Sequence, residues 1–358
     1  MKRMIRMSLV LLFVGSLVWA YPLEQSDIGS IGMASAGVAL SLSPASFFAN
    51  PALLYIREGS ESSLYVSGSY EDSVVVSNFQ DGLPNPFLEN PNSGFCISFS
   101  GSNLALTIQN QSSLLDRIDR ANSTQYSGTK KTLFQLDWAI GKAPFSIGLN
   151  VKALAVSERS PIEIRSDHVV TDYLVETLIG RYEPVESESL VQAGFGVLLD
   201  YDWFKMGFAS NTFAYAQGDD PIQISAGELF KTLAWGFSLS TPTYDDNNQL
   251  HLLKLQSALD LYNIGSTENR ELRFGLDVKV QLLPTWSVSF KTGYKEVKPT
   301  PTDIFKFNPG NGMHTLGLSL QLDTFLFDLA CKIPLAWYWG GNDDSSSVGI
   351  LLALSFAI

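Results

Sequence analysis

The chain has 358 residues, with 24 Lys+Arg against 36 Asp+Glu and a formal net charge of −12. That balance argues against a nucleic-acid partner, because phosphate binding needs clustered cations. Charged residues make up only 17% against 45% hydrophobic and 12% aromatic, an unusual mixture for a water-soluble domain and an ordinary one for a sheet that meets lipid.

Lys2, Arg3 and Arg6 open the chain, Met7 to Trp19 is apolar, and Val18-Trp19-Ala20 ends it in small residues at the positions a peptidase reads. This is the layout of a secretory signal peptide, residues 1–20, cleaved after Ala20. The apolar run is shorter than the ~20 residues of a spanning helix, and no later segment supplies one. An exported chain without such a helix is soluble, peripheral or a barrel.

Residues 21–60 do not alternate. Gly29, Gly32, Ala34, Ser35, Ala36 and Gly37 make them rich in small side chains, and Asn50-Pro51-Ala52 follows. Small residues let a segment fold tightly in a confined space. Asn50 before Pro51 is held extended or in a turn, and its amide can satisfy backbone groups there. The segment reads as a compact N-terminal unit, distinct from the wall that follows in 61–358.

From residue 62 onward, segments of roughly ten residues alternate apolar and polar side chains, the pattern of a strand with one face in lipid. Leu272, Phe274, Leu276, Val278 and Val280 alternate with Arg273, Gly275, Asp277, Lys279 and Gln281; after Pro284-Thr285, Trp286, Val288 and Phe290 alternate with Ser287, Ser289 and Lys291. The segments are 62–78, 93–100, 103–110, 130–141, 144–157, 188–200, 203–214, 229–240, 250–262, 271–282, 285–297, 312–322, 325–338 and 347–358. They predict an all-β fold, a 14-stranded antiparallel transmembrane β-barrel, the even number that bacterial barrels use.

Connections near Gly101-Ser102, Lys142-Ala143, Tyr201-Asp202, Pro284-Thr285 and Asp323-Thr324 are tight, and the one at 241–249 is looser; all fit the periplasmic side. Those at 79–92, 111–129, 158–187, 215–228, 263–270, 298–311 and 339–346 are longer and fit the extracellular side. Within 158–187, Val170, Tyr173, Leu174, Thr177 and Leu178 have helical spacing, so a short amphipathic helix or a disordered acidic loop fits there. Trp337, Tyr338 and Trp339 suit an interfacial aromatic belt. By parity, Cys96 faces the lumen and Cys331 lipid, which argues against a disulfide between them. The last strand sets Val348, Ile350, Leu352, Leu354, Phe356 and Ile358 on one face, resembling the signal read by the barrel-assembly machinery.

No catalytic set is apparent. His168, His251 and His314 stand in no metal-ligand spacing, and G-x-S-x-G, Walker A and H-E-x-x-H are absent. The sequence therefore asks for no metal and no cofactor, and it reads as a non-enzyme. The inward faces carry Asp137, Lys152, Lys205, Lys254, Asp260, Arg273, Asp277, Lys279, Lys291, Lys295, Asp328 and Lys332. One reading is a network of ion pairs and waters that fills the lumen. The other is that cations among Lys254, Arg273, Lys279 and Lys291 receive the carboxylate of an amphiphilic ligand.

Gly32-Met33-Ala34-Ser35-Ala36-Gly37-Val38-Ala39, Ala45 and Asn50-Pro51-Ala52-Leu53 resemble the start of the FadL/OmpP1/TodX superfamily, whose chains carry a small-residue stretch and an NPA motif in a hatch. Leu316-Gly317-Leu318 through Phe327-Asp328-Leu329-Ala330 resembles that superfamily's penultimate hairpin, and Arg273-Phe274-Gly275-Leu276-Asp277 through Gly293-Tyr294 the hairpin before it. The resemblance implies that 21–60 plug the barrel in an outer membrane. It implies uptake of a hydrophobic or amphiphilic small molecule, such as a long-chain fatty acid, with Gly32, Met33, Gly37, Asn50, Pro51 and Ala52 as the hatch motif. Members similar to PorV are instead partners of a secretion system, so a non-transporting structural or secretion-partner barrel is the alternative. The chain departs from the FadL pattern in its shorter length, its GMASAG stretch and its compact outer loops.

Overall fold

Strict alternation of side chains leaves every backbone N–H and C=O to be satisfied by neighbouring strands, and only a closed sheet does this without an edge in lipid. A computed structural model of the chain shows that closure. It describes residues 27–55, 62–73, 92–101, 103–120, 123–165, 184–201, 203–218, 220–242, 252–266, 270–283, 285–297, 312–335 and 347–357.

The strands are β1 (Ser63–Ser73), β2 (Asn92–Ser100), β3 (Leu104–Arg120), β4 (Ser123–Lys142), β5 (Phe145–Arg165), β6 (Pro184–Tyr201), β7 (Phe204–Gln217), β8 (Gln223–Ile224), β9 (Leu233–Ser240), β10 (Leu253–Tyr262), β11 (Glu271–Leu283), β12 (Trp286–Val297), β13 (Gly312–Leu322), β14 (Phe325–Pro334) and β15 (Ser347–Ala357). Each pairs antiparallel with its neighbour, and β1 closes on β15 with Tyr65 opposite Ser355. β8 is a two-residue ribbon on β7, and the wall itself is the expected 14-stranded barrel.

The period-two reading carries through to burial. On β5, Ser146, Gly148, Asn150 and Lys152 are buried, while Ile147, Leu149 and Val151 are exposed on the outer face. Cys96 is buried in the lumen and Cys331 lies between the inward Ala330 and Lys332, so the two thiols face opposite ways. Asp323, in the turn between β13 and β14, adopts φ 55, a left-handed value that Asp tolerates in tight turns.

Three strand expectations need correction. Residues 111–129 are not a loop: β3 and β4 stay paired from Ser113 and Thr129 out to Arg120 and Ser123. Likewise, β5 runs to Arg165 and β6 starts at Pro184. Ladder hydrogen bonds need no apolar face once the hairpin has left the bilayer, so these polar stretches continue as strands without alternating. Third, 229–232 are helical: α2 spans Ala226–Thr232 and β9 begins at Leu233. Ser225 caps this helix by accepting from the Glu228 N–H at 3.2 Å, a Ser-x-x-Glu capping sequence. α1 is the short helix Ile28–Ile31. Residues 1–26, the helical spacing from Val170 to Leu178, Trp337-Tyr338-Trp339 and Ile358 lie outside the described residues.

Several seams shift register, and the widest step is at β6–β7. Ala193 faces Ala214 and Phe195 faces Ser210 across β6–β7. β7 therefore carries extra residues opposite Gly194, a bulge.

Candidate functional site

Residues 27–55 fold inside the barrel against inward-facing side chains. Asp27 starts α1: its carboxylate accepts from the Gly29 N–H at 3.0 Å, the Ser43 hydroxyl at 2.5 Å and the Ser46 hydroxyl at 3.0 Å. It thus ties the helix to the segment that follows. Ala34 and Ser35 both take φ 58, reversing the chain where only short side chains stand. Asn50 is extended (φ −153, ψ 110) ahead of Pro51 and caps the 3-10 turn Pro51–Leu54 by accepting from the Ala52 N–H at 3.0 Å. Its amide nitrogen donates to Val38 O at 2.8 Å within the hatch and to Val197 O at 3.1 Å on β6. The sequence motif is therefore a knot that joins two parts of the hatch to the wall.

The apolar side of the hatch, Ile28, Ile31, Phe47, Phe48 and Leu54, packs on Tyr65, Cys96, Ala105, Ala139, Ala330 and Ala353. The wall contributes mainly small residues because the hatch supplies the bulk. Burying each large side chain stabilises the docked state by roughly 1.5–3 kcal/mol.

Elsewhere the hatch meets bare backbone. Gly148 faces Gly196 across β5–β6, Gly207 faces Gly236 across β7–β9, and Gly275 faces Gly293 across β11–β12. A Cβ added at any of these would come within 3.0 Å of hatch atoms: Pro51 at Gly148 and Gly196, Val38 at Gly207 and Gly236, Met33 at Gly275 and Gly293. Gly32 and Gly317 likewise leave no room for a side chain between them. The glycines form a band around the lumen at hatch level. Sequence reading placed Gly275 on the inward face yet missed the band, because the meaning of an inward glycine depends on what stands opposite it.

Polar groups complete the grip. Asp260 on β10 accepts from the Gly37 N–H at 2.7 Å and the Val38 N–H at 2.9 Å through one carboxylate oxygen. Thr315 on β13 accepts from the Ala34 N–H at 2.8 Å and donates to Gly32 O at 3.1 Å. Tyr65 accepts from the Ile28 N–H at 3.1 Å, Ser146 donates to Ala52 O at 3.1 Å, and Ser238 donates to Ala39 O at 3.0 Å. Sequence placed Asp260 on the inward face without this role and did not single out Thr315; nothing local marks a wall residue that holds a remote loop.

The hatch divides the four cations singled out from sequence. Lys291 lies beneath it, with its ammonium donating to Ser319 at 2.5 Å and standing 3.3 Å from Asp328. Lys279 donates to Gln321 at 3.0 Å and sits opposite Lys254 in the β10–β11 register, toward the short-turn end. Arg273 is on the other side of the Gly275–Gly293 level. Its guanidinium lies 3.8 Å from the Tyr262 ring centroid, donates to Glu271 at 2.5 and 2.8 Å, and reaches Ser35 O at 3.4 Å. Lys295 adds a second cation 3.3 Å from Glu271. The ion-pair reading of the lumen thus describes Lys291, Arg273 and Lys295. Burial, followed by the charge of Asp328, holds the Asp27 carboxyl above the usual carboxylate range. Among the described residues no group of His, Cys, Asp and Glu could hold a metal ion, and no helix is long and apolar enough to cross a membrane.

No family model matches the sequence and no curated protein matches it. Solved structures do match in fold. The monoaromatic hydrocarbon channel CymD superposes with a TM-score of 0.54 at 11% identity, covering 94% of this chain and 98% of that one. The P. putida toluene transporter TodX gives 0.54 at 10% identity, covering 94% and 99%. The Ralstonia pickettii toluene transporter TbuX gives 0.50 at 11% identity, covering 94% and 99%. The fold is that of the FadL/TodX/CymD-type outer-membrane barrels, and its apolar outer band is of the kind that faces lipid.

Proposed function

We propose that this barrel takes up small hydrophobic or amphiphilic molecules across the outer membrane, past a lumen that residues 21–60 keep plugged. The observation that carries the reading is the hatch itself, gripped from β1, β5, β6, β9, β10 and β13. A barrel built for free diffusion of polar solutes keeps its lumen open, whereas a plugged one admits what can bind first. The likeness in fold to a hydrocarbon channel and to toluene transporters adds support. Export by cleavage after Ala20 and insertion by the barrel-assembly machinery belong to the same proposal.

Ligand would meet the hatch from the long-connection side, at Arg273, Tyr262 and Ser35. A neutral aromatic or aliphatic molecule needs no change in the ion pairs there. A fatty-acid-like carboxylate would have to take Arg273 from Glu271, so its binding is the finer part of the proposal. Uptake into proteoliposomes of labelled toluene, a long-chain fatty acid and a sugar tests both. The proposal expects apolar uptake well above empty vesicles and above the sugar, with Arg273→Gln lowering fatty-acid uptake more than toluene uptake. Failure of both apolar solutes, with secretion proteins co-purifying, would favour the partner-barrel alternative.

A further inference from the structure

At one place the wall facing lipid is not made of strand. β7 and β9 pair only from Phe204 and Leu239 to Ser210 and Leu233. Beyond that point β8 and α2 fill the seam. Thr232 replaces the missing ladder, accepting from the Thr212 N–H at 3.3 Å and donating to Thr212 O at 3.2 Å. On the other flank, Gly265 N donates to Phe230 O at 2.9 Å and Ile264 N to Leu233 O at 3.0 Å.

The register gives the side on which this insert lies. Gly194, Gly196 and Leu198 are the buried, inward positions of β6, so Ala193 and Phe195 point outward. Their partners Ala214 and Ser210 share that face. Outward residues such as Trp138, Leu149 and Phe290 are large and exposed, yet Ser210 is small and buried, with its hydroxyl 2.9 Å from that of Thr232. α2 therefore covers the outer surface of β7. Ile224 pairs with Ala214 and so also points outward. Ile222, Ile224 and Phe230 are 74%, 81% and 58% exposed. On the same face, two positions along from Ser210 and Leu233, Phe208 pairs with Trp235 and their rings stack at 6.2 Å, so the lipid-facing wall runs up to the insert. The rise from Phe204 to Ala214, at ~3.3 Å per residue and ~40° tilt, is roughly 20–25 Å, about the height of an outer-membrane apolar band. Lys231 and Glu228 pair at 2.7 Å on the same short helix.

We propose that β8–α2 is an interfacial membrane anchor. Its occupant is the acyl-chain layer of the outer leaflet, entered by Ile222, Ile224 and Phe230 while the Glu228–Lys231 pair stays at headgroup level. Continuity with the wall's lipid face selects lipid as the occupant. Nitroxides at Ile224→Cys, Phe230→Cys and Lys231→Cys, in the full chain with Cys96→Ser and Cys331→Ser, test this in lipid vesicles, with Leu149→Cys as the wall reference. The ratio of oxygen to nickel-chelate accessibility should match Leu149 at Ile224 and Phe230, and be several-fold lower at Lys231. Ratios at Ile224 and Phe230 as low as at Lys231 would place the patch in water, and exclusion of both reagents would place it under protein; either overturns the proposal. Phe230→Trp gives a second reading free of cysteine changes: brominated acyl chains should quench its added fluorescence, and no added quenching overturns the anchor.

Discussion

The two faces of β5 obey different rules. Ile147, Leu149 and Val151 look outward and need only be apolar, while Ser146, Gly148, Asn150 and Lys152 look inward at one particular object. Lipid accepts any shape; the hatch does not. Specificity in this barrel is therefore concentrated where side chains are smallest, at glycines that let two backbones approach, rather than where they are largest. Substitutions should reveal the difference.

The largest effect is expected at the glycine band. Gly148→Val combined with Gly196→Val drives side chains into the backbone of Pro51 and the amide of Asn50, costing about 3 kcal/mol or more at each site. Limited proteolysis should then cut the hatch while the barrel keeps its heat-modifiable migration. Asp260→Ala should follow at roughly 2–5 kcal/mol, because the buried N–H groups of Gly37 and Val38 lose their acceptor; the same proteolysis reads it. On the outer face, Leu149→Met should be silent, while Leu149→Arg should cost up to ~2–4 kcal/mol of barrel stability in a denaturant titration and leave the hatch protected. A hatch loosened by Leu149→Arg alone would erase the contrast between the faces.

The smallest effect is one of pH. The Asp27 carboxyl is held above its ordinary value in the docked hatch. Its contribution to docking is therefore fully present below the unfolded carboxylate pKa and fades as pH rises through the raised, docked value. Proteolysis of the hatch should accordingly quicken with rising pH across that window, and Asp27→Asn should flatten the profile.

How much of this was legible in the sequence follows from the same contrast. The β11–β12 hairpin could be read residue by residue because lipid imposes alternation on Phe274, Leu276 and Val278. The outer ends of β3–β6 could not, since beyond the bilayer nothing imposes a pattern. α2 was hidden because Phe230 and Leu233 merge with the strand that follows, although Ser225 and Glu228 spelled its cap. The hatch announced itself through Asn50-Pro51 and its run of small residues. Its partners Asp260, Thr315 and the wall glycines did not, because they are separated from it by long stretches of sequence and acquire their role only once the barrel closes.

Planar-bilayer conductance tests the central claim most directly. A barrel whose hatch is seated by the glycine band should pass little ionic current as wild type, and Gly148→Val/Gly196→Val should open large, long-lived conductance steps. Open-barrel conductance in the wild type, or a folded double variant that stays as closed as the wild type, would contradict the account.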